Sequence, residues 1–405
     1  MENQESFDEM IRVNLFLLKF SGIIRASVGK ISLTEILSVL AFGLLAAMSC
    51  SYLRDLLLTD NMEVAMQSLA FMITGFGNTL HYILIAKSRA KLCDVLATFE
   101  DLWGLLEVQE KRVLMSYVRD AKKLTYFFMS QCAATVFLYV GAPVIFGNGF
   151  VRVNGNITER MLPYSLIFEC KDSPCYEILY ILQILTVINI AITYIGVDTI
   201  GPVLILTVSG HMKIIQNRIM SLGSSEEFEN FKNDKVKRIS DYEISHFQYF
   251  GKSFEACVKY HQTVLKLCKD IEKVTNKAFL VQLITSTYSI SAIGFKMVGN
   301  DSDKSKYVTQ IVLSLVQLFL CNWPPDVLQN EILIHFKSQA VAYAAYFMPW
   351  YRCSRDVKKS TEIIIMRGQR VVRLTAGNFV DLSLETFIRM VSSALSFFTL
   401  LRSIE

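Results

Sequence analysis

Charge is scarce in this chain. Only 19% of its 405 residues are charged, 52% are hydrophobic, and the mean hydropathy is +0.36. A soluble domain carries about 25% charged residues. A water-facing protein of this length needs more polar side chains to cover its surface, so a soluble multidomain enzyme is excluded. Enzyme motifs are missing too: there is no His-Glu-x-x-His, no glycine-rich phosphate loop and no Gly-x-Ser-x-Gly. Cys257 and His261 lie four apart on a predicted helix with Cys268 beyond them, but a structural metal site wants four ligands. No metal and no cofactor is expected. The net charge of +4 is too small to imply a nucleic-acid partner. The polar–apolar alternation of a membrane barrel is absent, as is the internal repeat that marks many transporters. The first 30 residues do not read as a signal peptide. Glu2, Glu5, Asp8 and Glu9 precede a short stretch, Val13 to Ile24, that Lys19 interrupts. That stretch is expected to form an amphipathic helix on the cytoplasmic surface.

What the chain has instead is long runs without charge. They are Ile36 to Leu53, Val64 to Ala86, Leu124 to Val151, Ile178 to Met212, Ala278 to Phe295 and Tyr307 to Pro325, with only His81, Asp198 and His211 as ionisable interruptions. About 20 apolar residues span the ~30 Å hydrocarbon core. Backbone amides in lipid must pair within their own segment, so the runs read as helices. A seventh run, Leu374 to Leu401, holds Asp381, Glu385 and Arg389 at four-residue spacing, which predicts one charged helix face or a charged mouth to a span. Ser338 to Tyr351 is charge-free but only 14 residues long, which suits a buried or interfacial helix. The fold class predicted is an all-α polytopic membrane protein with seven transmembrane helices.

Lys and Arg assign the sides. Residues 1–32 hold four, 87–123 eight, 208–277 twelve and 328–374 eight, so 32 fall on one face. Residues 148–177 hold three, 299–306 two, and Arg402 makes six on the other. This predicts an intracellular N-terminus and an extracellular C-terminus. Two glycan acceptor patterns, at Asn156 and Asn300, fall in the loops predicted to be extracellular. Cys170 and Cys175 share the first of those loops and are a candidate disulfide, with two free thiols as the alternative.

Asp198 precedes Gly201-Pro202, and His81 sits near the inner end of the second run. Both read more readily as wet helix ends than as functional groups, although a lone acid in a membrane helix is a functional candidate. In the inner loop 208–277, Ile244, Phe247, Phe254, Val258, Val264, Leu265, Ile271 and Val274 recur at helical spacing. Such a stripe buries against another helix. The inner loops are expected to be helical extensions that pack together.

The C-terminal third carries a more specific signal. The run Thr375-Ala376-Gly377-Asn378-Phe379-Val380-Asp381-Leu382-Ser383-Leu384-Glu385-Thr386-Phe387 resembles the signature of insect odorant receptors. So do the ending Ser396-Phe397-Phe398-Thr399-Leu400-Leu401-Arg402 and, upstream, Trp350-Tyr351 and Ile364-Ile365-Met366-Arg367-Gly368-Gln369. The Asp-Arg-Tyr and Asn-Pro-x-x-Tyr motifs of G-protein-coupled receptors, which predict the opposite orientation, are absent. A gustatory receptor-type channel is the sibling reading.

The resemblance implies an odorant-gated, non-selective cation channel in the plasma membrane of olfactory sensory neurons, and not an enzyme. Four subunits would surround a pore lined by the last helix, with cytoplasmic helices anchoring the tetramer. The chain looks like the odorant-tuning subunit of a heterotetramer with the odorant receptor co-receptor, since it lacks the long second inner loop of the latter. Its partners would be that co-receptor, a small volatile organic ligand, the lipid bilayer and permeating cations. By resemblance, Leu400 and Ile404 fall at the hydrophobic gate, and Asp381 and Glu385 near the inner mouth. The ligand pocket would draw on Phe71, Thr74 and Gly75 from the second span and on Phe137, Leu138 and Gly141 from the third. Tyr180 and Ile184 would come from the fourth, and Tyr307, Gln310 and Ser314 from the sixth. The expected divisions are a cytoplasmic segment 1–32, pocket-bearing helices 33–210, an anchor loop 211–277, two spans 278–327, anchor helices 328–374 and a pore helix 375–405.

Overall fold

The computed structural model of the chain describes residues 7, 11–24, 33–59, 62–141, 150–153, 156–160, 173–223, 241–298, 304–337, 355, 359 and 373–404. The 338–351 run, the Trp350 and Ile364 motifs, Asn300 and Cys170 lie outside these residues.

Nine helices run through the described chain. They are α1 (Arg12–Phe20), α2 (Leu33–Leu58), α3 (Met62–Lys87), α4 (Arg89–Gly104), α5 (Val108–Val136), α6 (Cys175–Gly223), α7 (Asp241–Val298), α8 (Lys304–Lys337) and α9 (Leu384–Ile404). Six of them, α2, α3 and α5 to α8, are long and apolar enough to cross a membrane. At 1.5 Å per residue, α9 adds about 31 Å, enough to span the hydrocarbon core. By the same rise, α6 and α7 are about 73 and 87 Å long. They therefore run far past any bilayer. The inner-loop stripe lies on α7, where Val264, Ile271 and Val274 are buried and Val258 and Leu265 pack against the core.

Helix ends follow local chemistry. The Glu107 side chain caps the third residue of α5, and Glu110 Oε2 accepts from the Glu107 amide at 3.0 Å, closing a reciprocal capping box. α6 packs on α5, α7 and α8, while α7 also supports α3 and α9. Close approach needs small residues. A methyl group added at Gly201 of α6 would meet the Phe279 ring of α7 at 2.7 Å, and one at Gly77 of α3 would collide with Thr285 of α7.

Three features depart from the expectations. First, α1 is amphipathic as expected, with Arg12, Phe16 and Lys19 exposed, but its other face enters the helix bundle. Leu17 and Leu18 are buried, and the Asn14 amide donates to Thr199 Oγ1 of α6 (2.8 Å) and Thr125 Oγ1 of α5 (3.3 Å). A fully apolar face would leave those hydroxyls fewer partners; a short polar side chain pins the helix into the bundle instead.

Second, two small hairpins interrupt the helices. β1 (Phe150–Val153) pairs with β2 (Asn156–Arg160), and β3 (Thr375–Ala376) with β4 (Val380–Asp381). Asn154-Gly155, the strongest short hairpin signal, separates the first pair in the sequence.

Third, the last helix begins at Leu384, not at 375. Gly377 (φ +64°) and Asn378 (φ +66°) take the left-handed conformation that turns the second hairpin. Asp381 therefore does not share a helix face with Glu385 and Arg389. It lies on β4 and accepts from Arg373 at 2.6 Å, while Glu385 pairs with Arg389 on α9.

Candidate functional site

The base of α9 is held from three sides. Asn276 of α7 donates to the Thr375 carbonyl and to Thr375 Oγ1, both at 2.9 Å, and its own carbonyl accepts from the Gly377 amide at 3.2 Å. Thr375 Oγ1 in turn donates to Glu272 at 2.8 Å. Ser383 caps the helix by accepting the Thr386 amide at 3.2 Å, and Thr386 Oγ1 donates to the Asp381 carbonyl at 2.7 Å. The Leu384 amide donates to Asp326 Oδ1 of α8 at 3.2 Å. A carboxylate at a helix N-terminus satisfies an orphan amide and opposes the helix dipole. α8 also grips α9 through Phe319, which stacks on Trp323 and meets Phe387 edge-on at 6.0 Å.

Above that base α9 has two faces. Ala394 is fully buried and its carbonyl accepts from Ser291 of α7 at 3.0 Å; Phe387, Val391 and Phe398 pack on the same side. Ser392, Ser396, Thr399 and Ser403 are exposed on the other, with Leu400 beside them at 56% exposure. The hydroxyls of Ser396, Thr399 and Ser403 donate to carbonyls three or four residues earlier, at 2.7 to 3.0 Å. Ser396, Thr399 and Ser403 are thus internally satisfied, and the apolar Ile388, Leu395 and Phe397 are exposed on either side of the stripe. Ile404 closes the helix.

The pocket residues expected toward the outer end are only partly assembled. Phe71 stacks on Tyr52 of α2 (4.9 Å between centroids) and lies edge-on to Tyr139 (6.2 Å). The Tyr139 hydroxyl donates to Gln310 of α8. The Thr74 and Ser289 hydroxyls are 3.0 Å apart. The Tyr180 hydroxyl donates to the Val140 carbonyl at 3.1 Å, Ile184 is half-buried and Ser314 buried. Other expected residues face elsewhere. Gly75 is a contact between α3 and Ser49 of α2, Phe137 is exposed with Gly141 against its ring, and Tyr307 is paired with Lys296 in the last turn of α7.

Tyr52 and Tyr139 were missed by sequence reasoning. For Tyr139 the reason is geometric. Phe137–Gly141 form a π-helical turn, whose extra residue rotates the face presented, so Tyr139 rather than Phe137 points at Gln310. A polar-tipped aromatic beside the chosen Leu138 was the available signal.

Further down the bundle, two groups read as wet helix ends are buried together. His81 of α3 and Asp198 of α6 are each 3% exposed at the side chain, and Nδ1 and Oδ1 face each other at 3.2 Å. Gln317 of α8 donates to Asp198 Oδ2 at 3.1 Å and to the Tyr194 hydroxyl. Pro202 lies inside the continuous helix α6, so it does not open this region to water by ending the helix. On the loop between α5 and α6, Asn156 opens β2 opposite Val153. Cys175 is disulfide-bonded.

These features define a polytopic membrane protein, almost wholly helical, whose last helix is amphipathic and set on a capped, hairpin-fixed base. The family model described as 7tm Odorant receptor matches residues 61–395, and the chain belongs to that family. It is an odorant receptor and a multi-pass membrane protein of a receptor family, not of an enzyme family. Odorant receptor 82a of Drosophila melanogaster is 23% identical over 336 residues, covering 78% of this chain and 80% of the relative. Odorant receptor 10 of Aedes albopictus is 23% identical over 351 residues, covering 82% and 83%. Among solved structures, the insect olfactory receptor OR5 from Machilis hrabei superposes with a TM-score of 0.75 at 15% identity, covering 97% of each chain. The same receptor in complex with eugenol gives 0.72 at 14% identity, covering 98% of this chain and 100% of that one.

Proposed function

We propose that the chain is the odorant-tuning subunit of an odorant-gated, non-selective cation channel, assembled as a heterotetramer with the odorant receptor co-receptor. The observation that carries this reading is the two-faced α9. A solitary membrane helix has no reason to hold Ser392, Ser396, Thr399 and Ser403 on one side and Ala394 against its own bundle on the other. Grouped about a symmetry axis, such stripes would line a water-filled path, and a ring of Leu400, with Ile404, would close it by dewetting. The charge asymmetry supports a cytoplasmic N-terminus and an extracellular C-terminus.

Odorants would bind near Phe71, Tyr139 and Gln310, where aromatic walls surround few polar groups. That composition suits a small, mostly apolar volatile molecule. Ligand would favour opening by its higher affinity for the open arrangement.

Cysteine accessibility tests the pore assignment. Ser392→Cys and Ser396→Cys, co-expressed with a co-receptor, are expected to render odorant-evoked current sensitive to block by a charged thiol reagent. Val391→Cys, on the packed face, is expected to resist it. Equal resistance at all three positions, with current intact, would remove α9 from the pore wall.

A further inference from the structure

We propose that the buried cluster His81–Asp198–Gln317 is the fulcrum through which α8 carries the odorant signal to the pore helix; this inference rests on the channel reading above. Three polar contacts of α8 mark a line from the aromatic site to the base of the pore helix. Gln310 meets Tyr139 near the outer end, Gln317 meets Asp198 in the middle, and Asp326 meets the first amide of α9 at the base. These points are seven and nine residues apart, or roughly 10 and 13 Å along one helix. A helix held only at its ends tilts or slides without passing motion on. Held at an intermediate point, it acts as a lever.

The middle contact is built for holding. Asp198 is buried, its Oδ2 accepts from Gln317 at 3.1 Å, and its Oδ1 faces His81 Nδ1 at 3.2 Å. Among the described residues neither Oδ1 nor Nδ1 has another partner. The contact joins α3, α6 and α8 at one point within the bundle. The groups facing it are uncharged: Tyr194 on α6 bonds Gln317, Cys132 of α5 and Cys321 of α8 lie within the field of Asp198, and Gln282 reaches Tyr194 from α7.

An acid and a base in such a place are costly. Removing either partner of a buried pair leaves an uncompensated group, while well-packed apolar residues in place of both are often no less stable. Intramembrane ionisable residues therefore mark function by default. The cluster is not in the aromatic site and not on the pore face. What it does touch is α8, a helix that reaches both. Asp198, His81 and Gln317 are assigned here as positioning residues.

The test uses the full chain with a co-receptor, and as probe the member of a volatile panel of alcohols, esters and substituted phenols, eugenol included, that gives the largest wild-type current. Asp198→Asn, His81→Leu and Gln317→Leu are each expected to raise the half-maximal odorant concentration at least tenfold and to lower the saturating current per surface receptor. Unitary conductance is expected to stay at the wild-type value, because the pore itself is untouched. The exchanged pair, His81→Asp with Asp198→His, is expected to restore sensitivity to within threefold. A silent wild type overturns the channel reading and this inference with it. Variants that reach the surface with wild-type sensitivity overturn the fulcrum alone. So does a surface-expressed exchanged pair that restores nothing, or a failure of every single variant to reach the surface, which would make the cluster purely structural.

Discussion

Replacing Ala394 with leucine is expected to push the last helix away from its support. Ala394 has no exposed surface, its carbonyl accepts from Ser291, and Val391 and Phe398 fill the positions on either side of it along the face that packs on the bundle. Three added carbons have no space there. Overpacking of this kind costs typically about 1–3 kcal/mol. The strain disfavours any arrangement that keeps α9 tight against α7, so an opening that draws α9 back from the pore axis onto its bundle is disfavoured by the same amount. As an equilibrium this is roughly 5- to 150-fold. Cells expressing Ala394→Leu with a co-receptor are expected to show a smaller saturating odorant current and a raised half-maximal concentration, both normalised to surface-labelled receptor. Ala394→Ser, nearly equal in volume, is expected to behave as wild type. Wild-type current and sensitivity in Ala394→Leu at normal surface level would refute the assignment of α9 as the element that moves.

Other outcomes follow from individual contacts. Leu400→Ala is expected to raise resting leak or shift odorant sensitivity, and an unaltered channel would remove Leu400 from the gate. Tyr139→Phe deletes the hydroxyl that meets Gln310. It is expected to cost about 0.5–1.5 kcal/mol, roughly 2- to 12-fold in half-maximal concentration, for odorants bearing a hydroxyl or carbonyl, and nothing for hydrocarbon odorants. Asn156→Gln is expected to reduce a glycosidase-sensitive gel shift, and Asn156→Gln with Asn300→Gln to abolish it; a wild-type protein that carries no glycan and whose loop resists outside labelling would overturn the orientation.

The membrane helices were legible because lipid allows few exceptions. A run of 18 or more uncharged residues has hardly any other stable form than a helix, so Ile36 to Leu53 and its successors mapped onto α2, α3 and α5 to α8. The helical form of the stretch 241–277 was legible from spacing, as Val264, Ile271 and Val274 attest.

What escaped were contacts between residues distant in sequence and small changes of register. The four-residue spacing of Asp381, Glu385 and Arg389 carried a helical reading back into a hairpin, and only the Gly377-Asn378 pair hints at the left-handed turn. The π-helical turn at 137–141 rotated the third span's inner face past the expected residues. Asp198 and His81 looked like separate wet ends because nothing in one sequence tells that positions 117 apart face each other. Asn14 is similar. On its own it is a polar residue in a weak amphipathic helix, and its meaning comes from Thr125 and Thr199.

The most direct measurement of the central claim is whole-cell recording from cells that express this chain with an odorant receptor co-receptor, across a broad volatile panel. Inward cation current is expected within the first application of an activating odorant, without G-protein involvement, reversing near 0 mV as a non-selective pore requires. Receptor present at the cell surface, and no current to any member of the panel, would contradict the account.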